Sequence, residues 1–195
     1  LENCEPKKVF YYFEEICKIP HGSRNTRQIS DYLVDFAKEH GFKYVQDELN
    51  NVVIYKPATP GYENAPTVIL QGHMDMVCEK RPDVEHDFTK DGLNLSVKDG
   101  YVSANGTTLG GDDGIAVAMA LAILDDDTLE HPPIEAVFTV DEEIGLLGAF
   151  GLDCSVLSGK RMINMDSEAE GSLWISCAGG LSGISHIPVQ RVEGE

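Results

Sequence analysis

The stretch TVILQGHMD, residues 67–75, predicts a strand that lies inside a sheet and ends in polar side chains. Residues 67–71 form a short apolar run, as in the middle of a parallel or mixed sheet. Residues 115–124, IAVAMALAIL, are apolar all round and therefore predict a buried helix. Residues 134–140 and 161–165 predict two further strands. Strands that alternate with buried helices predict an α/β fold, a three-layer sandwich around a mixed, largely parallel sheet.

The segment before this strand predicts two helices. Residues 7–19 place apolar side chains at helical spacing. A second apolar stripe runs through residues 29–37, with Ser23 as the predicted cap and Gly41 as the predicted end. These two helices would add to the layers that cover the sheet.

Further short strands are predicted before and after residues 67–71 in the sequence. Residues 43–47 and 52–56 are rich in strand-forming side chains and are separated by a turn at Asn50–Asn51. Residues 93–103 alternate around Asp99–Gly100, which indicates a hairpin. The tail, residues 179–195, has strand character.

The charge of the chain excludes several classes of partner. The 195 residues carry 15 Lys+Arg against 33 Asp+Glu, a formal net charge of −18. Residues 1–82 hold 10 basic and 12 acidic side chains, whereas residues 83–195 hold 5 and 21. A nucleic-acid backbone or an anionic membrane would repel such a surface. The hydrophobic content of 42% nevertheless suffices for a packed core.

The cysteines and the hydropathy of the chain predict a cytoplasmic protein. Five scattered cysteines, with no CxxC pair, are typical of reduced thiols. No run of 18 apolar residues occurs, and we expect no membrane span and no secretory leader.

In four segments, polar residues lie directly beyond a predicted apolar strand or at the start of the buried helix. In an open α/β sheet, ligand sites form beyond the carboxyl ends of the strands, so these residues are expected to converge on one crevice. They are His73 and Asp75 after 67–71, Asp112 and Asp113 at the helix start, Glu142 and Glu143 after 134–140, and Asp166 after 161–164.

These residue types suit a pair of divalent metal ions. Imidazole nitrogens and carboxylate oxygens are ordinary zinc ligands. Carboxylates packed together repel one another unless they are protonated or bind metal. A carboxylate at a rigid helix start can bridge two cations, which would activate a water and polarise a carbonyl. Of two adjacent glutamates, one can bind metal while its neighbour stays free as a general base.

Four strings of residues resemble the M20 family of dinuclear metallopeptidases, in its Xaa-His (aminoacyl-histidine) dipeptidase branch. The strings are GHMDMV (72–77), GTTLGGDDGIA (106–116), VDEEIGLLGA (140–149) and INMDSEAEG (163–171). The resemblance continues in order over essentially the whole chain and includes CAGG at 177–180.

The resemblance implies a role for each candidate residue. It identifies His73, Asp112, Glu143 and Asp166 as ligands of two divalent ions, zinc by default with manganese or cobalt as substitutes. Asp112 would bridge the ions, and a cis peptide often follows it in the family. Asp75 would orient and polarise His73, and Glu142 would be the general base.

The resemblance also implies how the chain is organised. Residues 1–180 would form a catalytic domain that is incomplete at its C-terminus, and residues 181–195 would begin a lid or dimerisation domain. A further histidine ligand would lie after that domain, so the fragment alone is expected to be inactive. The full-length protein is expected to bind a small peptide and to form a homodimer.

The implied reaction is hydrolysis of Xaa-His dipeptides such as β-alanyl-histidine. Another M20 peptidase, or an N-acyl-amino-acid deacylase, would share every ligand and stays open, as does a metal-free acidic binding module. Taken singly, the candidates also have structural interpretations. His73 would be a hydrogen-bonded core histidine, Asp112–Asp113 a helix cap and Glu142–Glu143 a solvated helix start. Their joint occurrence favours the metal site.

Overall fold

The computed structural model describes residues 1–167, 171–180 and 183–190. Of the predicted second domain, residues 181–195, the described part is therefore residues 183–190. None of the helices in the described part is both long and apolar enough to cross a membrane. The elements are α1 Lys7–Cys17, α2 Arg27–Glu39, β1 Lys43–Gln46, β2 Val52–Lys56, β3 Val68–His73, β4 Leu95–Lys98, β5 Tyr101–Ala104, α3 Gly111–Leu124, β6 Ile134–Thr139, α4 Leu147–Gly151 and β7 Arg161–Asn164.

A five-stranded mixed sheet in the order β1-β2-β6-β3-β7 forms the centre of the fold. Strand β3 pairs in parallel with β6 on one side and with β7 on the other. Strand β2 runs antiparallel to both β6 and β1, so it alone opposes the common direction. The predicted mixed, largely parallel sheet is confirmed. As a consequence, β3, β6 and β7 all end at one edge.

The main core lies between one face of this sheet and the helices α1, α2 and α3. Helix α3 is buried on most sides, as its uniformly apolar sequence predicts. Alternate strand residues such as Ile54, Leu70 and Phe138 enter this core. The opposite face carries a smaller cluster, made by Val53, Ile69 and Val137 and covered by partly buried side chains from residues 152–157.

Two local predictions were wrong. Ser23 does not cap α2, which begins at Arg27 after Thr26 and has no side-chain cap. The backbone instead turns at Arg24, whose φ is +67°, and the Ser23 hydroxyl donates to Asp75. The tail has no strand in its described residues, 179–180 and 183–190. The predicted hairpin around Asp99–Gly100 is confirmed as β4 and β5.

The packing of α3 predicts an unequal response to two substitutions. Leu121 is fully buried, so Leu121→Ala is expected to lower the free energy of unfolding by about 2–5 kcal/mol, because it removes buried methyl groups and leaves a cavity. Met119 lies on the same helix but is 40% exposed, and we expect Met119→Ala to cost about 1 kcal/mol or less. Urea denaturation measures both, and equal losses would contradict this account of the core.

Candidate metal centre

His73 is the last residue of β3 and lies at the centre of the candidate site. It is 1% exposed, and its Nδ1 lies 2.9 Å from the backbone oxygen of Asp75 and 3.3 Å from Oδ1 of the same residue. Its Nε2 lies 3.0 Å from Oδ1 of Asp112 and 3.9 Å from Oε2 of Glu142. Burial acts to lower the pKa of His73, but the carboxylates of Asp75, Asp113 and Asp112 outweigh it and raise the pKa to about 9.

Asp75 joins three separate segments of the chain. Its carboxylate accepts a hydrogen bond from Ser23 Oγ at 2.8 Å and another from the backbone N–H of Glu142 at 3.1 Å. Burial raises the pKa of this carboxyl, whereas the hydrogen bonds from His73, Glu142 and Ser23 lower it by more, so the pKa is below its usual value. A buried anion therefore faces Nδ1 of His73 and leaves Nε2 directed at the other carboxylates.

The start of α3 separates two neighbouring aspartates. The Asp112–Asp113 peptide bond is cis, as the family resemblance implies. The side chain of Asp112 is 59% exposed beside His73, whereas Asp113 is 2% exposed and accepts from the backbone N–H of His73 at 3.3 Å. Both residues have a non-helical backbone at the start of α3, and Asp113 accepts from β3 rather than from the first turn of the helix. The cap interpretation was therefore wrong.

The buried carboxyl of Asp113 lies close to β3 and restricts which residue can occupy position 72. Burial, together with the negative charges of Asp166 and Asp112, outweighs the opposing effect of His73 and raises the pKa of this carboxyl to about 7. A Cβ at Gly72 would lie 2.7 Å from Oδ2 of Asp113. Only glycine at position 72 lets the strand pass this carboxyl so closely.

Glu142 and Glu143 lie in the turn that follows β6. They precede α4, which begins at Leu147, so the interpretation as a helix start was wrong. Burial raises the pKa of both carboxyls, and nearby carboxylates, including Asp112, add to the rise while His73 opposes it. Both side chains are only partly exposed. They therefore face the carboxylate cluster rather than open solvent.

The candidate ligand atoms form two overlapping groups among the described residues. One group holds His73, Asp112 and Glu143, and the other holds His73, Glu142 and Asp166, with all atoms of a group within 4.8 Å of one another. Five of the seven residues that the sequence analysis placed at this edge belong to these groups. The other two, Asp75 and Asp113, each contact His73. Glu142, predicted as the base and not as a ligand, is as close to this cluster as the predicted ligands are.

The donor set fits divalent cations. One imidazole and several carboxylates supply nitrogen and oxygen donors, which suit zinc, manganese or cobalt. The raised pKa values of Asp113, Glu142 and Glu143 reflect burial first, and then the negative charge of neighbouring carboxylates, which His73 opposes. Positive ions among these oxygens would balance that charge.

An open cleft of about 1150 Å³ adjoins the cluster. Glu142 and Asp166 line it, together with exposed side chains of β7 and of the segment between Ser172 and Ala178. Trp174 stands in this cleft with 72% of its surface exposed. The space is large enough for a small peptide next to the carboxylates.

Sequence reasoning missed two polar residues that support the site. Ser23 holds Asp75, although it precedes it by 52 positions, and Asn51 is 1% exposed rather than part of an open turn. Neither position is marked by a periodic pattern, because the bond of Ser23 and the burial of Asn51 depend on how distant segments pack together. His21, His40, His86 and His131 were expected to have no metal role, and His73 is the one histidine in the two groups found in the described part.

The chain matches a known protein family and known relatives. Residues 69–171 match Peptidase family M20/M25/M40. The chain is 44% identical over 191 residues to the cytosol non-specific dipeptidase of Escherichia coli (strain K12), a match that covers 98% of this chain and 39% of that protein.

Solved structures give the same picture. The crystal structure of aminoacylhistidine dipeptidase from Vibrio alginolyticus superposes with a TM-score of 0.85 at 45% identity, covering 87% of this chain and 35% of that one. A tripeptidase from Staphylococcus aureus gives 0.70 at 27%, covering 83% and 43%. The chain thus spans 35–43% of the length of these relatives.

Proposed function

Because the chain belongs to Peptidase family M20/M25/M40, we propose that it forms most of the catalytic domain of a metal-dependent dipeptidase for Xaa-His substrates such as β-alanyl-histidine. The observation that carries the proposal is the convergence of one imidazole and several carboxylates at a single sheet edge. The likeness to a solved aminoacylhistidine dipeptidase supports the choice of substrate.

The proposed domain comprises residues 1–180, and residues 181–195 begin a second domain. The relatives are more than twice as long as this chain, which leaves room for a lid and for a further histidine ligand. The homodimer and the cytoplasmic location stay predictions. The word cytosol in the name of the E. coli relative supports the location.

We propose His73, Asp112, Glu143 and Asp166 as the metal ligands, with Asp112 shared between two ions. When bound, two divalent cations, zinc by default, would polarise the scissile carbonyl and lower the pKa of the attacking water. Asp75 accepts from Nδ1 of His73 and so keeps Nε2 free to bind. Its second contact, to the backbone N–H of Glu142, ties the orientation of His73 to the position of the base.

Glu142 is proposed as the general base and then the general acid. Its carboxylate takes a proton from water, the resulting hydroxide adds to the scissile carbonyl carbon, and the same proton then passes to the leaving nitrogen as the C–N bond breaks. The products are a free amine and a carboxylic acid, which then releases its proton to solvent at neutral pH. Oε2 of Glu142 lies 3.9 Å from Nε2 of His73, beside the space where that water would stand.

A less selective dipeptidase is the second candidate. It is favoured by the 44% identity to a protein named as a non-specific dipeptidase. Both candidates use the same residues for the same chemistry, and they differ only in how the pocket recognises the C-terminal histidine.

Substrate competition with the full-length protein tests the proposal. We expect kcat/KM for β-alanyl-histidine to exceed that for dipeptides without histidine, for tripeptides and for N-acetyl amino acids by about tenfold or more. Release of the free amine measures each rate, and a chelated sample gives the background. Equal rates on all dipeptides favour the second candidate. Faster cleavage of tripeptides or N-acyl amino acids overturns both, as does the absence of any metal-dependent hydrolysis.

A further inference from the structure

Asn51 closes the base of the loop that carries Glu142 and Glu143. Its Oδ1 accepts a hydrogen bond from the backbone N–H of Val140 at 3.1 Å, and its Nδ2 donates to the backbone oxygen of Gly148 at 3.0 Å. The same Nδ2 donates to Oδ2 of Asp47 at 2.7 Å. Asn51 thus bridges the two ends of residues 140–148, a segment called here the glutamate loop.

The sheet topology explains why Asn51 can reach this loop. Strand β2 runs antiparallel to β6, and Val52 lies opposite Phe138 in the register. The residue just before β2 therefore lies beside the carboxyl end of β6, where the glutamate loop begins. An antiparallel strand inserted among parallel ones brings its amino end to the edge where the catalytic side chains gather.

The base of the loop is also closed by its own backbone, and tightly. The N–H of Gly148 donates to the oxygen of Val140 at 2.9 Å. A Cβ at Gly148 would lie 2.5 Å from Oδ1 of Asn51 and 2.6 Å from the nitrogen of Val140. The site therefore requires glycine at position 148 and a side chain at position 51 that both donates and accepts, which a primary amide does.

The rest of the loop is held together by its own backbone hydrogen bonds. The backbone oxygen of Glu142 accepts from the N–H groups of Gly145 and Leu146, each at 2.9 Å, so the turn is internally bonded. Asp47 in turn fixes Asn51, because its Oδ1 accepts from the backbone N–H of Asn51 at 2.8 Å. Opening the base would leave the bond from the Glu142 N–H to Asp75 as an anchor of the loop and would loosen the two glutamates relative to His73.

We propose that Asn51 is a positioning residue, whose carboxamide fixes the glutamate loop so that Glu142 and Glu143 stand at the correct distance from His73. This inference rests on the proposed function. A displacement of about 1 Å in reacting groups can cost a hundredfold in rate, so a small opening of the base has a measurable effect.

The bridge that Asn51 makes between the two ends of the glutamate loop is called here the clamp. Amide hydrogen exchange tests this clamp without relying on enzyme activity. In Asn51→Ala, the amides of residues 145–148 are expected to exchange about tenfold faster or more, while those of β3 are unchanged. Gly148→Ala opens the base from the opposite side and serves as the second variant in case the first fails to fold. Unchanged exchange in the loop, or an equal increase in β3, would overturn the clamp.

Steady-state kinetics of the full-length protein at saturating metal test the consequence. Asn51→Ala is expected to lower kcat about tenfold or more while KM changes by less than roughly threefold. Leu121→Ala is the control, because it destabilises the core without touching the loop. Retention of kcat in a folded Asn51→Ala protein, or an equal loss in Leu121→Ala, would refute the positioning role. A wild type without peptidase activity would instead refute the proposed function, and hydrogen exchange would still decide the clamp.

Discussion

Replacing Glu142 by glutamine is expected to lower kcat of the full-length protein by about 10²–10⁴-fold while its bound metal is retained. Glutamine keeps the size and the hydrogen-bonding reach of the side chain but cannot accept the proton of the attacking water. The backbone N–H of Glu142 is held by Asp75, so the substitution leaves the loop in place. Initial rates with β-alanyl-histidine, together with elemental analysis of the dialysed protein, measure both quantities.

The retained metal separates two roles for Glu142. Because Glu142 lies in one close group with His73 and Asp166, it has the geometry of a ligand as well as of a base. Loss of metal along with activity in Glu142→Gln would contradict the base assignment and favour a ligand. Glu143→Gln is expected to lose both, whereas Glu48→Gln, at an exposed position outside the cleft, is expected to lose neither.

The central strand and the buried helix were predictable because each is a run of consecutive, mostly apolar residues. Residues 67–71 appear as most of β3, and residues 115–124 as the body of α3. Polar residues at the ends of strands could be assigned to one edge because parallel strands end together. The candidate ligands could therefore be predicted from the sequence.

The contacts of Ser23 and Asn51 that support the site could not be predicted in the same way. Ser23 has the chemistry of a helix cap, and the sequence does not reveal that a left-handed turn at Arg24 would aim its hydroxyl at Asp75 instead. Asn51 follows Asn50 in what resembles an exposed turn, yet the pairing of β2 with β6 buries it. Such contacts are set by tertiary packing and leave no periodic signal.

The second large effect is expected on the affinity of the protein for zinc. Zinc binding to the full-length protein is expected to weaken by about a hundredfold or more in the double variant His73→Ala, Asp112→Ala. His73 belongs to both groups of candidate ligands, and Asp112 is the carboxylate at 3.0 Å from its Nε2, so this change removes one donor from one group and two from the other. Calorimetric titration and elemental analysis of dialysed samples measure the loss.

A second histidine–aspartate pair in the same chain supplies the control. Nε2 of His40 lies 3.0 Å from Oδ1 of Asp125, the same atoms at the same separation as in His73 and Asp112, but at a site with no third ligand in the described residues. His40→Ala, Asp125→Ala removes the same functional groups and the same formal charge, so it is expected to leave zinc affinity unchanged. An equal loss in both double variants would mean that global charge or folding governs the binding. If the wild type bound no more zinc than the His73, Asp112 variant, the metallopeptidase assignment of this site would fail.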